Sequence, residues 1–138
     1  MQALGRQILV ELYDCNPDIL ADLKAIEKHM LESCRIANAT IVTHTFHEFS
    51  PYGVSGAVII AESHVAIHTW PEHNYAAVDI FTCGDTISPW VIHDYLKKEF
   101  ESKNTSSMEL RRGLFDMGDK KLLFKPETEG VYCAKTPK

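Results

Sequence analysis

Two helix starts, each opened by a proline, bracket a long run that patterns as strands, and this arrangement most restricts the fold. Asn16-Pro17-Asp18 offers a capping side chain, a proline at the first helical position and an acid in the first turn. Ser88-Pro89 offers the same cap logic. After the first start, Ile19, Leu23, Ile26 and Met30 fall at helical spacing, with Leu20 and Leu31 widening the stripe. The spacing predicts one helix from Pro17 to about Cys34, its stripe facing a core. Val91, Ile92, Tyr95, Leu96 and Phe100 give the second helix its apolar face.

The segment between the helices reads as strands. Thr40 to Phe49 is rich in β-branched residues and alternates, and Ser50-Pro51-Tyr52-Gly53 is a turn signal. Ala57 to Ala61, Val65 to Trp70 and Tyr75 to Thr82 read as three more strands. Pro71 ends the second of these and Cys83-Gly84 the third. Arg6 to Tyr13 precedes the first helix as a strand, and Thr105 to Arg111 follows the second. The predicted order is β-α-β-β-β-β-α-β. It suits an α+β fold: a two-layer α/β sandwich whose mostly antiparallel sheet carries two helices on one face. Residues 1–113 are expected to form the domain, and 114–138 a C-terminal arm or tail.

Composition removes several functions. The net charge is -5 with no block of like charges, so nucleic acid is not the expected partner. Arg111-Arg112 is too small a cluster to reverse that. The longest wholly apolar run, Ala57 to Ala61, is far below the ~20 residues of a membrane span, and no membrane is expected as a partner. The N-terminal stretch lacks the apolar core of a signal peptide. The four cysteines, Cys15, Cys34, Cys83 and Cys133, show no C-x-x-C spacing. Free thiols in a reducing compartment, the cytoplasm, are the expectation.

The chemistry concentrates between Phe46 and Gly84. On an alternating strand His64, Ala66, His68 and Trp70 share one face, directly after Glu62-Ser63-His64. A serine hydroxyl held against the preceding carbonyl can attack it and shift the acyl group from nitrogen to oxygen. A base must then take the serine Cα proton, and His68 titrates in the right range. Elimination gives dehydroalanine, which hydrolyses to a pyruvoyl group. Such a group forms an imine with a substrate amine and accepts the electrons that decarboxylation releases. Cys83 is a candidate proton donor, because a thiol of ordinary pKa, about 8.5, is mostly protonated at neutral pH.

Each residue also has an ordinary reading. A serine between strands is usually a turn residue. A strand histidine is usually hydrogen-bonded in a core, and a lone cysteine is usually a buried thiol. A Ser-His-acid hydrolase built from Ser63, His68 and Asp79 or Glu72 lacks the G-x-S-x-G elbow. No metal is expected: His64 and His68 stand about 13 Å apart at strand rise, and His44 and His47 face opposite ways.

A set of segments, in order, carries a resemblance. They are Leu4-Gly5-Arg6, Ala39-Thr40, Phe46-His47, Ser50 to Gly56 (SPYGVSG), Glu62-Ser63-His64, Ile67 to Glu72 (IHTWPE) and Phe81 to Gly84 (FTCG). Over about residues 3 to 113 the chain resembles the short prokaryotic S-adenosylmethionine decarboxylase proenzymes. The resemblance implies a cut between Glu62 and Ser63, giving chains 1–62 and 63–138, with Ser63 becoming the pyruvoyl cofactor. It implies His68 as the base for processing, Cys83 as the proton donor in decarboxylation and Ser55 as a hydrogen-bonding aid to processing. Phe49 and Trp70 would flank the adenine, and Glu72 would bind the ribose hydroxyls. Aromatic faces also suit a sulfonium cation. The implied assembly is a homodimer of processed protomers with sites at or near the interface. The implied product is the aminopropyl donor for spermidine synthesis.

Some positions depart from that pattern. Ala61 stands where a serine is frequent, Glu48 where a basic residue is common, and His73-Asn74 in place of a Tyr-Gly-type pair. None removes a group the chemistry needs. Two rivals remain on sequence. One is the same cofactor acting on arginine, which would want a carboxylate for the guanidinium and has less use for Phe49, Trp70 and Glu72. The other is an uncut regulatory paralogue, which need not keep Ser63, His68 and Cys83 together.

Overall fold

A computed structural model describes residues 1–123. Six strands, β1 (Gln2–Tyr13), β2 (Ile41–Glu48), β3 (Val54–Ile60), β4 (Ser63–Trp70), β5 (Tyr75–Cys83) and β6 (Asn104–Phe115), form one sheet in the order β2-β3-β4-β5-β1-β6. Every neighbouring pair is antiparallel. The helices are α1 (Pro17–Leu20), α2 (Leu23–Ile36) and α3 (Pro89–Glu99). The two-layer sandwich and antiparallel sheet agree with the sequence expectation. The expected domain end at Gly113 falls just before the end of β6, and residues 124–138 of the expected arm lie outside the described residues.

One expectation is corrected. The helix predicted from Pro17 to Cys34 is two helices. Asn16 caps the first, its side chain accepting from the Asp18 N–H at 2.9 Å. At Asp22 the backbone turns extended, with ψ at 105°. The Asp22 side chain accepts from the N–H groups of Lys24 (3.0 Å) and Ala25 (3.3 Å) and starts a new helix. A continuous apolar stripe hides such a break, because a second cap inside the stripe changes direction without changing periodicity.

Strand alternation sends one set of side chains to the helices. Ile8, Val10 and Leu12 of β1, Val65 and Ile67 of β4, and Val78 and Ile80 of β5 are buried against Ile26, Met30 and Cys34 of α2 and Ile92 and Leu96 of α3. Each such aliphatic side chain contributes roughly 1.5–3 kcal/mol by leaving water. Thr69 ties the layers polarly: its hydroxyl donates to the Leu20 carbonyl (2.8 Å) and accepts from the Val54 N–H (2.9 Å). The other set of side chains faces away from the helices, and the candidate site lies there. Among the described residues, no helix is long and apolar enough to cross a membrane.

Candidate active site on the open face of the sheet

Ala61 and Glu62 form the turn between β3 and β4, and the turn is clamped. The Ala61 N–H donates to the Thr40 carbonyl at 2.8 Å. The Thr40 N–H donates back to the Glu62 carboxylate at 3.1 Å. On the other side, the Cys83 N–H donates to the Glu62 carbonyl at 2.7 Å. The carbonyl carbon that Ser63 would attack is therefore already polarised by a backbone donor.

Ser63 is strained. Its φ is +150°, a region that side-chain-bearing residues avoid. Holding a serine there costs about 1–3 kcal/mol, and such strain collects at functional positions. Regular alternation would point Ser63 with Thr82, its register partner, toward the helices. Instead its Oγ lies 3.0 Å from Cys83 Sγ. The β1 backbone leaves room there because residue 5 is glycine. A Cβ at Gly5 would lie 3.1 Å from Cys83 Sγ and 2.7 Å from the Thr82 carbonyl oxygen.

A second cluster sits at the far end of β4. Ser55 pairs with His68 across the β3–β4 ladder, and Ser55 Oγ lies 2.7 Å from His68 Nδ1. Phe49, Tyr52, Ser55, His68, Trp70 and Glu72 line one cleft of about 290 Å³. Trp70 also stacks on Tyr75, with ring centroids 5.3 Å apart, and Tyr75 stacks on Tyr13 at 5.3 Å. The Tyr75 hydroxyl donates to the Glu11 carboxylate at 2.6 Å. Burial first, then the Glu11 hydrogen bond and charge, push the Tyr75 phenol well above its ordinary range, so it stays a neutral donor.

The two clusters do not meet within one chain. Ser63 pairs with Thr82 and His68 with Ala77 on the same β4–β5 ladder. Five steps along an extended strand span about 17 Å. Ser63, Glu62 and Cys83 form one group, while Ser55, His68, Phe49, Trp70 and Glu72 form the other. Strand rise alone already separates Ser63 from His68; the sequence does not show which end Cys83, Ser55 and Phe49 join. Tyr52 in the cleft also escaped the sequence reading; its only signal was an aromatic side chain within the turn Ser50 to Gly53.

Other reactive residues are placed apart from this chemistry. Burial pushes the thiols of Cys15 and Cys34 up to about 11, which keeps both protonated and inert, whereas Cys83 is only half-buried. Among the described residues, no group of three or more His, Cys, Asp or Glu side chains could hold a metal ion.

Comparison with known proteins gives this geometry a family. A model of the S-adenosylmethionine decarboxylase family matches residues 6–113. An S-adenosylmethionine decarboxylase proenzyme of Acidithiobacillus ferrooxidans is 57% identical over 117 residues, 85% of this chain and 88% of that protein. One from Thermodesulfovibrio yellowstonii is 49% identical over 135 residues, covering 96% of this chain and all of the relative. The crystal structure of the adenosylmethionine decarboxylase from Aquifex aeolicus superposes with a TM-score of 0.81 at 31% identity, covering 88% of this chain and all of that one. On sequence and on fold together, the chain belongs to the S-adenosylmethionine decarboxylase family.

Proposed function

We propose that the chain cuts itself between Glu62 and Ser63, turns Ser63 into a pyruvoyl group, and as a homodimer decarboxylates S-adenosylmethionine to the aminopropyl donor for spermidine synthesis. The observation that carries the reading is the state of the Glu62–Ser63 peptide. Its serine is forced to φ +150° and its carbonyl is held by the Cys83 N–H at 2.7 Å. Breaking that peptide releases the strain, so stored backbone energy favours the acyl shift. The pyruvoyl carbonyl then supplies an electron sink for the carboxylate's bonding pair.

The residues present fit that group. Cys83 Sγ lies 3.0 Å from Ser63 Oγ, close enough for its thiol to return a proton to a substrate carbon bound at the group Ser63 would become. His68 has its Nδ1 oriented by the Ser55 hydroxyl, leaving Nε2 for a proton at Ser63 Cα. Phe49 and Trp70 can flank a purine and attract a sulfonium, and Glu72 can accept from ribose hydroxyls in the same cleft. These aromatics favour the nucleoside over arginine.

The separation of the clusters supports the homodimer. A second copy that set its His68 group against this chain's Ser63 group would complete two equivalent sites, as a two-fold interface does. The open face has the surface for it: Leu9, Ile59, Met108 and Leu110 lie there exposed by a third or more.

Denaturing intact mass of the purified protein is the first test. Two chains, 1–62 and 63–138 with a blocked N-terminus, are expected. Carbon dioxide release from S-adenosylmethionine, and not from arginine, is expected from the cut protein. A chain that stays whole on incubation would sink the pyruvoyl reading, and turnover of arginine alone would sink the substrate.

A further inference from the structure

Among the described residues, the Thr82 hydroxyl is the one buried side-chain N or O atom with no hydrogen-bond partner, in a residue only 1% exposed. A buried hydroxyl left unpaired carries its full desolvation penalty, so the position calls for an explanation. Its place in the ladder supplies one. Thr82 is the register partner of Ser63. The bond from the Cys83 N–H to the Glu62 carbonyl brackets that pair, which makes it a pair without mutual backbone bonds, the kind whose side chains lie nearest. The hydroxyl that regular pleating would set beside Thr82 is that of Ser63, but Ser63 is turned to Cys83.

Thr82 thus stands across the ladder from Ser63, next in sequence to the Cys83 N–H that already holds the Glu62 carbonyl, with its hydroxyl unpartnered. Building on the self-cleavage reading above, we infer that Thr82 is the second oxyanion donor of the cut. Ser63 Oγ bonds to the Glu62 carbonyl carbon and gives up its proton, and the carbonyl π pair moves onto oxygen. Collapse breaks the bond from that carbon to the Ser63 nitrogen, which takes the proton and leaves an ester. The oxygen carries a full charge only between these two steps. Thr82 would donate then, beside Cys83 N–H, and have no partner before. An interaction absent in the ground state and present in the transition state is the kind that accelerates a step.

This assignment separates stability from rate. Thr82→Val removes the hydroxyl at nearly constant shape, and Thr82→Ser keeps it. Cleavage is followed from freshly synthesised precursor by denaturing gel. Melting temperatures are measured with each change in a Ser63→Ala background that cannot cut. Thr82→Val should cut about 100-fold more slowly, the usual loss for one oxyanion donor. In the uncut background it should melt at or above the parent temperature. Thr82→Ser should cut at close to the parent rate. Parent-rate cleavage by Thr82→Val would overturn the assignment. A lowered melting temperature would instead suggest a structural hydroxyl. In that case Thr82→Ala against Thr82→Ser decides, and equal rates in those two overturn it. Failure of the parent chain to cut at all would overturn the self-cleavage reading and this assignment with it, whereas a cutting parent with parent-rate Thr82→Val overturns this assignment alone.

Discussion

Ser55 Oγ and His68 Nδ1 stand 2.7 Å apart, while Ser63 Oγ, on the same strand as His68, keeps company with Cys83 Sγ at 3.0 Å. The strand itself holds these two pairs apart. A shared site therefore has a consequence that a site within one chain lacks. Chains carrying Ser63→Ala and chains carrying His68→Ala should each stay uncut alone. Co-expressed, they should form mixed dimers in which the His68→Ala chain, which keeps Ser63, is cut by its partner's histidine. Mass spectrometry distinguishes which chain is cut. If neither is cut in the mixture, the two clusters do not act across an interface.

Ser63 and Cys83 should part company when changed singly. Ser63→Ala should abolish both cleavage and turnover, because no other hydroxyl sits on the scissile peptide. Cys83→Ala keeps the backbone N–H on the Glu62 carbonyl, so cleavage should continue. Turnover per processed chain should fall by about 100-fold or more, the scale of a lost general acid. Normal turnover by Cys83→Ala would remove the thiol from the mechanism.

Much of the fold was legible because strand and helix signals agreed. The strand from Tyr75 declared itself by alternation and its end by Cys83-Gly84; α3 declared itself by Ser88-Pro89 and a helical stripe. Ser63, His68 and Cys83 stood out through the chain's resemblance to its family, and the roles given to them belong to the proposed function. The Ser63–Cys83 contact was not legible. Ser63 reaches Cys83 only through a backbone angle that no pattern of residue types encodes. Thr82 reads as one more β-branched strand residue, and its missing partner is visible only once the neighbours are in place.

Acid should weaken the fold through His29. Burial, offset in part by Glu99, holds its imidazole below the ordinary value of 6.5, beside Tyr95 and Phe100. The unfolded chain therefore binds the proton more readily. The contribution is fully present above about 6.5 and is lost as pH falls through the lowered folded value. Melting of the Ser63→Ala protein between pH 8 and pH 5 should show the decline. Adding His29→Phe should flatten part of it, and an unchanged slope would assign the decline to other groups.

Asp22 gives a test of the break between α1 and α2. Its carboxylate satisfies two N–H groups that would otherwise open α2 without a partner. Asp22→Ala should cost about 1 kcal/mol, and Asp22→Asn or Asp22→Ser should recover most of it, since each keeps an acceptor oxygen. Denaturant titration of the uncut Ser63→Ala form reads this directly. The alternative, a single helix running through Asp22, predicts the opposite sign, because alanine is the better residue within a helix and aspartate among the poorer ones. The cost should also remain local. The segment Ala21-Asp22 joins α2 to α1, and the Leu20 carbonyl there receives the Thr69 hydroxyl beneath the cleft. If loosening the α2 cap shifts that anchor, the substrate KM should rise with kcat unchanged. If the anchor holds, stability alone should move.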